Sequence, residues 1–509
     1  MNWVARTRAG RRGPRLVPAG DSQILRPGSQ SLYKETLETP WSEGQMALPT
    51  GVLPTRRGGW GSQYHAGFVK PRPPVRERPQ GSGGRGFRVA PPQLRTLTDA
   101  EARHASDLEL FFDLVLAVAV AALGQALTSN PSLTGFVRFA ALFVPVWWAW
   151  VGYTFYADRF ESDDFIYRLL VLTAMLAIAG VAVNTEAAFV SRSASLRLAA
   201  SYVTIRLILV VLYLRAYRWE PLARPLCARY ALGFSVGAGF WLASLFVNPP
   251  GRYWLWVAGL AVELSTPLLS ASAITRVPFH ASHIPERFGS FTIVVLGETV
   301  VLTATGVGGT LHLTAGITAV IGFLIAAAVW WIYFEFVDTS PMRRGLVAGQ
   351  TYIYGHLVIF MGITATGAGV LLSIRDSGRA APAAGERAAL CGGVAAFLLA
   401  IGVIHAVNTR KVRDLATVSR FGIGATALVL AVTGFGLAPV WTAGVLLALL
   451  IGHVVVEAWG RPLARAATDV EADPVEAREA REAREAREAG DAREAREARP
   501  AGQAGAQEH

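Results

Sequence analysis

Three ionisable residues lie inside long apolar stretches of the sequence. Arg206, Glu263 and Glu298 are each flanked on both sides by apolar residues. A charge at the centre of a bilayer costs on the order of 2.5 to 3.5 kcal/mol on insertion scales, so such residues usually face a partner or a water-filled path. Their types and positions therefore indicate either an ion pair that joins helices or a group that carries a proton or a cation.

The balance of charge favours more than a closed ion pair, because one arginine cannot neutralise two carboxylates. We predict that Arg206 pairs with Glu263, whose backbone carbonyl loses its helical donor to Pro267 four residues later. Glu298 is then the surplus acid, which is either protonated through desolvation or holds a cation. The alternative is that the charges only hold helices together. Pro267 also predicts a helix kink, which either lines a substrate site or only shapes packing.

Two further acids, Glu109 and Asp113, are one helical turn apart and share a face at the start of the first apolar stretch. Ser106 can cap a helix at this point, and acids in a first turn complement the helix dipole. Asp113 lies deeper than a cap requires, so both a structural and a functional role stay open for it. Glu286, directly after Pro285, opens a later helix by the same logic.

The histidines and tryptophans indicate structure rather than chemistry. His280 and His283 are three residues apart but have no further ligands nearby, so we interpret them as loop residues and predict no metal site. His356 and His453 fall inside apolar stretches, where a hydrogen bond to a neighbouring helix is expected. The tryptophans interpreted mainly as interfacial anchors are Trp147, Trp148, Trp150, Trp254, Trp256, Trp330 and Trp331. Nucleotide-binding and hydrolase motifs are absent from the sequence, so we predict no catalytic residue and no cofactor.

The elements that position these residues are helices long enough to cross a membrane. Hydrophobic residues make up 52% of the 509 residues and charged residues 17%, and apolar blocks recur from about residue 109 to residue 459. The predicted fold class is all-α, a polytopic transmembrane helical bundle with about twelve spans. It implies a multi-pass protein of the inner (plasma) membrane, in contact with the lipid bilayer. The predicted spans are 109–127, 134–156, 165–185, 195–217, 229–248, 252–270, 288–305, 313–335, 349–374, 386–408, 420–437 and 439–459.

The two ends of the chain have a different composition. Residues 1–104 are rich in Arg, Gly and Pro, which predicts a disordered basic cytoplasmic tail. They hold seventeen basic and seven acidic residues and so supply most of the net charge of +11, which therefore does not indicate a nucleic-acid partner. Residues 461–509 contain a Glu-Ala-Arg run and predict a solvated polar tail. The excess of Arg and Lys in alternate loops places both termini in the cytoplasm.

Residues 105–280 and 281–460 resemble each other at three places, in the same order. The matching features are Glu109-Leu110-Phe111 with Glu286-Arg287-Phe288, Trp147-Trp148 with Trp330-Trp331, and Tyr167 with Tyr354, each tyrosine preceding a glycine by thirteen positions. Six spans in each half give the halves the same orientation. The sequence therefore predicts a parallel 6+6 internal repeat, as in several transporter folds.

Three motifs carry a resemblance to a known family. Glu109-Leu-Phe-Phe-Asp113-Leu-Val, His283-Ile-Pro-Glu286-Arg-Phe-Gly289 and Val295-Leu-Gly297-Glu298 resemble the bacterial low-temperature-requirement A family. The resemblance covers about residues 104 to 460. It implies a multi-span inner-membrane protein linked by its name to growth in the cold, with no established reaction or transported species. The opening Phe-Phe-Asp is also similar to the Phe-Ser-Asp first helix of a class of six-span-repeat potassium channels, with Phe112 in place of the serine.

Together these features favour a secondary transporter or ion-translocating protein that acts on an unknown small solute or ion. The candidate translocation or ion-pair residues are Arg206, Glu263, Glu298, Asp113 and Glu109, with Pro267 as a helix-kink residue. Two alternatives stay open. One is a duplicated six-span cation channel, and the other is a membrane-embedded enzyme or lipid-handling protein that uses the same carboxylates. A homo-oligomer is compatible with each of them.

Overall fold

The structure is a computed structural model that describes residues 90–94, 106–162, 164–277, 283–308, 312–337, 345–434 and 436–471, with backbone alone for residues 460–471. The two predicted tails, residues 1–104 and 461–509, lie almost wholly outside this part of the chain.

Twelve helices of 19 residues or more account for most of the described residues, and each predicted span overlaps one of them. They are α1 (Asp107–Ser129), α2 (Leu133–Arg159), α3 (Phe165–Asn184), α4 (Arg192–Trp219), α5 (Arg224–Ala243), α6 (Gly251–Leu269), α7 (His283–Val307), α8 (Leu313–Phe336), α9 (Leu346–Arg375), α10 (Ala384–Thr409), α11 (Leu415–Thr433) and α12 (Pro439–Glu471). The predicted class, an all-α polytopic membrane protein, is confirmed.

Eleven of the described helices are long and apolar enough to cross a membrane, and α6 is not among them. Its 19 residues would span about 28 Å at 1.5 Å per residue, close to the thickness of the hydrocarbon core. Arg252 and Glu263, both on α6, lower its mean hydropathy. The length of α6 is thus compatible with a twelfth span, whereas its composition sets it apart.

Serine caps begin several of these helices. The Ser106 hydroxyl accepts a hydrogen bond from the Glu109 amide at 3.4 Å, and a Glu109 carboxylate oxygen accepts one from the Ser106 amide at 3.2 Å. This reciprocal pair satisfies two amides that would otherwise lack partners at the start of α1. The predicted cap at Ser106 is therefore confirmed. Ser132 and Ser191 cap α2 and α4 through their hydroxyls.

The centre of the bundle is lined by aromatic side chains. Helix α9 is the most enclosed span, with 78% of its apolar window buried against 28% for α11. Trp150 of α2 is fully buried and stacks on Phe291 of α7 with 4.6 Å between ring centroids. Four of the seven tryptophans interpreted as interfacial anchors are buried, so that interpretation is wrong for them, because they face neighbouring helices: Trp147, Trp148, Trp150 and Trp256. The exposed ones are Trp254, Trp330 and Trp331.

Two local features differ from the simplest expectation. Gln93–Leu94 (β1), inside the predicted disordered tail, pairs antiparallel with Phe160–Glu161 (β2) just after α2. Pro267 lies in the last turn of α6 instead of bending the helix at its centre. A single helical turn, Ala271–Ile274, follows, so the break at Pro267 separates α6 from the approach to α7.

Candidate functional site

The structure brings Arg206 and Glu263 together between α4 and α6. Arg206 Nε lies 2.8 Å from Glu263 Oε2, and both side chains are fully buried. Tyr202, one turn before Arg206 on α4, donates its hydroxyl hydrogen to Glu263 Oε2 at 2.7 Å and accepts one from Arg206 Nη2 at 2.6 Å. The contact is thus a three-residue cluster. Sequence reasoning missed Tyr202, although its i,i+4 spacing from Arg206 was a usable signal.

Glycines make room for this cluster. A Cβ added at Gly237 of α5 would lie 2.4 Å from Glu263 Cγ, and one added at Gly152 of α2 would lie 3.3 Å from Arg206 Nη1. Neighbouring backbones therefore enclose both charged side chains closely. The pair is enclosed and neutral overall. This arrangement suits a structural ion pair that holds α4 and α6 together.

Glu298, the second predicted midspan acid, is placed differently. It lies near the middle of α7, is partly exposed, and has exposed neighbours on the same helix at Gly297 and Val301. Across the described residues, neither a hydrogen bond nor an ion pair reaches its carboxylate, and nothing links it to Arg206. Glu298 therefore stands apart from the enclosed pair.

Asp113 joins three helices. Its Oδ1 atom accepts hydrogen bonds from Arg287 Nη2 of α7 and from Trp150 Nε1 of α2, each at 2.8 Å. Asp113 and Arg287 are each only 2% exposed. Asp113 thus links the first and seventh helices, as a structural role would require. Arg287 was missed as its partner because pairing between distant helices depends on how each helix is rotated.

His283 occupies a carboxylate-rich position beside this link. Its Nδ1 lies 3.1 Å from Asp158 Oδ1, and its Nε2 lies 3.7 Å from Glu109 Oε2. The interpretation of His283 as a loop residue is wrong, because it is the first residue of α7 and is buried between α1 and α2. His280 lies outside the described residues. His283 thus lies within ion-pair distance of a carboxylate of α1 and a carboxylate of α2, so this cluster joins the start of α7 to both helices.

The two histidines inside apolar stretches, His356 and His453, bond as predicted. His356 Nδ1 donates to the Tyr352 carbonyl at 2.7 Å, so its Nε2 is left to accept from the Tyr333 hydroxyl of α8 at 2.9 Å. His453 Nδ1 lies 3.3 Å from the Ser419 hydroxyl of α11. The expectation that both would bond to neighbouring helices is confirmed.

A fourth buried group was not predicted. Arg420 at the start of α11 binds Glu457 of α12 through two contacts, Nε to Oε1 at 2.6 Å and Nη2 to Oε2 at 2.9 Å. Nη2 also donates to the Phe336 carbonyl at the end of α8. This bidentate pair fastens three helices of the second half. A cluster of three or more metal ligands is not found within the described residues.

The first two sequence motifs therefore meet in these groups. A comparison with known families assigns the chain. The family model described as bacterial low temperature requirement A protein matches residues 104–456. The chain belongs to this family. An uncharacterized protein of Rhizobium meliloti (strain 1021) is 30% identical over 285 residues, which cover 52% of this chain and 68% of that protein.

In this low temperature requirement A protein the motifs supply partners to one another. Glu109 and Asp113 come from the first motif, and their partners His283 and Arg287 come from the second. The third motif ends in Glu298, twelve residues beyond Glu286 on the same helix. Two motifs thus build the contact between α1 and α7, while the third contributes a carboxylate with no such role.

Proposed function

We propose that this low temperature requirement A protein is a secondary transporter or another ion-translocating protein, and that Glu298 is the carboxylate that binds the proton or cation. The observation that carries the proposal is the contrast between two midspan acids. Glu263 is enclosed and bound to Arg206 and Tyr202, whereas Glu298 has no bonded partner among the described residues.

The physical reason lies in the cost of charge at membrane depth. Glu263 is already neutralised by an arginine, so titrating it would break a buried pair. A half-buried carboxylate without a counter-charge is stable at that depth only when it is protonated, binds a cation or faces a water-filled path. Each of those states suits a residue that loads and releases an ion.

The buried cluster around His283, at the start of the same helix as Glu298, supports the proposal. His283 begins α7 and Glu298 lies fifteen residues later, about 22 Å along the helix axis at 1.5 Å per residue. The histidine is therefore close to one end of the span and the carboxylate close to its middle. An ion bound at Glu298 would have a second titratable group between it and that membrane face.

Flux measurements in proteoliposomes test the class of function. We expect saturable flux that depends on an imposed proton, sodium or potassium gradient. Ohmic current without saturation would instead indicate the duplicated six-span channel. Vesicles that show neither flux nor current, although the protein is inserted and monodisperse, would contradict ion translocation and favour a membrane-embedded enzyme or lipid-handling protein.

A further inference from the structure

A cavity of about 370 Å³ lies among α2, α4, α5, the end of α6 and the start of α9. Its wall is mostly apolar and includes Trp148, Phe155, Phe234 and Ile353. Small-molecule sites usually measure roughly 300 to 1,000 Å³, and a dry cavity of about 150 Å³ already holds benzene. The space is therefore large enough for one apolar chain. Its described lining borders the Arg206 cluster at Gly152 and Phe234 but includes none of Arg206, Tyr202 and Glu263.

One end of this cavity carries a buried positive charge. Among the described residues that line the cavity, Arg159, the last residue of α2, is the one charged residue, and it is 2% exposed. Its Nη1 lies at a long 3.4 Å from the Phe155 carbonyl, and its Nε has no hydrogen-bond partner in the described part of the chain. No described carboxylate forms an ion pair with it.

The other four buried arginines of the described residues allow a comparison of how each positive charge is partnered. Arg206, Arg287 and Arg420 each bind a carboxylate at 2.6 to 2.8 Å. Arg252 has no carboxylate either, but its Nε donates to two backbone carbonyls at 3.1 and 3.2 Å. Arg159 has one long contact of that kind and lies with its Cζ 5.3 Å from the centre of the Phe155 ring, so like Arg252 it is a buried cation without a described carboxylate. A buried cation in this state favours an anionic ligand.

Two further groups on the cavity wall could bind the same ligand. The Tyr213 hydroxyl is fully buried and has no hydrogen-bond partner among the described residues. The start of α9, from Gly345 to Gly349, also lines the cavity, and no side chain in the described part of the chain caps it. The first amides of a helix lack intrahelical partners and carry a partial positive charge, which suits an anion. Arg159, Tyr213 and the start of α9 thus supply donors to a wall that is otherwise mostly apolar, with Tyr230, Thr275 and Gln350 as further polar residues.

We propose that this cavity binds an amphipathic anion, with a carboxylate or phosphate head on Arg159 and one apolar chain directed toward Trp148. The two residues are eleven positions apart on α2, about 16 Å along the helix. Arg159 ends its helix, at the depth of lipid head groups, while Trp148 lies deeper in the span. The proposal concerns residues other than Glu298, so it stands or falls independently of ion translocation.

Photolabelling tests the proposal directly. The full-length protein is placed in nanodiscs of zwitterionic lipid and exposed to hexadecanoate with a diazirine in its chain, or to hexadecanol with the same diazirine. We expect hexadecanoate to label peptides of α2 and α5 saturably. Arg159→Gln should raise its half-saturating concentration about tenfold or more, because a hydrogen bond to a charge is lost. Labelling by hexadecanol should not change.

Three matched variants make the result interpretable. Arg218→Gln removes an exposed arginine near the end of α4, outside the cavity, and should leave labelling by both probes unchanged. Arg159→Lys keeps the charge and should retain most of the hexadecanoate affinity. Ile353→Trp fills the cavity and should reduce labelling by both probes. Gel filtration identifies any variant that fails to fold, and Arg159→Lys still reports on the charge if Arg159→Gln aggregates.

Nanodiscs that contain phosphatidylglycerol distinguish the two sources of such an anion. Competition by that lipid would identify a lipid head group as the natural occupant, and lack of competition would identify a free amphiphile. Unsaturable labelling, or hexadecanoate labelling that is the same in Arg159→Gln and in the wild type, would overturn the proposal.

Discussion

At the scale of single residues, Tyr202 fixes the position of the buried Arg206. The tyrosine hydroxyl lies between Arg206 and Glu263 and bonds to both, so the pair is held by three contacts instead of one. Every member is enclosed by neighbouring helices. The cluster therefore resembles a fixed joint, which leaves Glu298 as the midspan acid that we propose for ion binding.

The first prediction concerns this joint. Arg206→Ala leaves Glu263 buried without its counter-charge, which should lower the free energy of unfolding by about 3 to 5 kcal/mol. The double variant Arg206→Met with Glu263→Gln removes both charges and should recover most of that loss. Thermal unfolding in detergent measures both, with Arg218→Ala as an exposed control. An Arg206→Ala protein as stable as the wild type would contradict the claim that this cluster holds α4 and α6 together.

At the scale of helices, the close approach of α5 to α6 depends on a glycine. A Cβ at Gly237 would lie 2.4 Å from Glu263 Cγ, and Glu263 cannot move aside without leaving Arg206 and Tyr202. Gly239, two residues later on the same helix, has open space where its Cβ would be. The two positions form a matched pair for a test of packing.

We predict that Gly237→Ala destabilises the protein by about 1 to 3 kcal/mol, as overpacking does. Gly239→Ala should have no such effect, because alanine favours helix and meets nothing there. Thermal unfolding of the two variants in the same detergent gives the comparison. Equal midpoints for the two would show that α5 and α6 are not packed as closely as described.

The helices themselves were predictable from the sequence, since long apolar blocks and a serine cap mark them locally. Side-chain pairing was predictable only where chemistry left few choices, as with Arg206 and Glu263. The pairs of Asp113 with Arg287, His283 with Asp158 and Arg420 with Glu457 depend on the rotation of each helix about its axis. Periodicity in nearly uniform apolar segments does not determine that rotation.

At the scale of the whole molecule, we propose that the two halves arose by duplication and share one orientation. Corresponding neighbours support this: α1 packs on α3 as α7 packs on α9, and α4 packs on α5 as α10 packs on α11. The halves also differ. Helix α8 packs on α12, whereas α2, the counterpart of α8 in the first half, packs on α4. Helix α6 decides the topology, since the halves are parallel only if it crosses the membrane.

Topology reporters test whether α6 crosses the membrane. A reporter fused after residue 30 and another after residue 470 should both report the cytoplasm, because twelve spans and the positive loops place both ends there. A reporter in the loop before α6, after Asn248, should report the outside. Opposite locations for the two ends would mean that α6 does not cross, and would remove the parallel repeat.

The decisive measurement for the proposed function is ion flux through Glu298→Gln in proteoliposomes, paired with its thermal stability. Glutamine keeps the shape and hydrogen-bonding capacity of the side chain but cannot titrate or carry a negative charge, so gradient-dependent flux should fall to background while the unfolding midpoint stays that of the wild type. Glu298→Asp should keep part of the flux. Glu286→Gln, an exposed glutamate on the same helix, should keep all of it. A Glu298→Gln protein that is stable and fully active would contradict the assignment of Glu298 as the ion-binding acid.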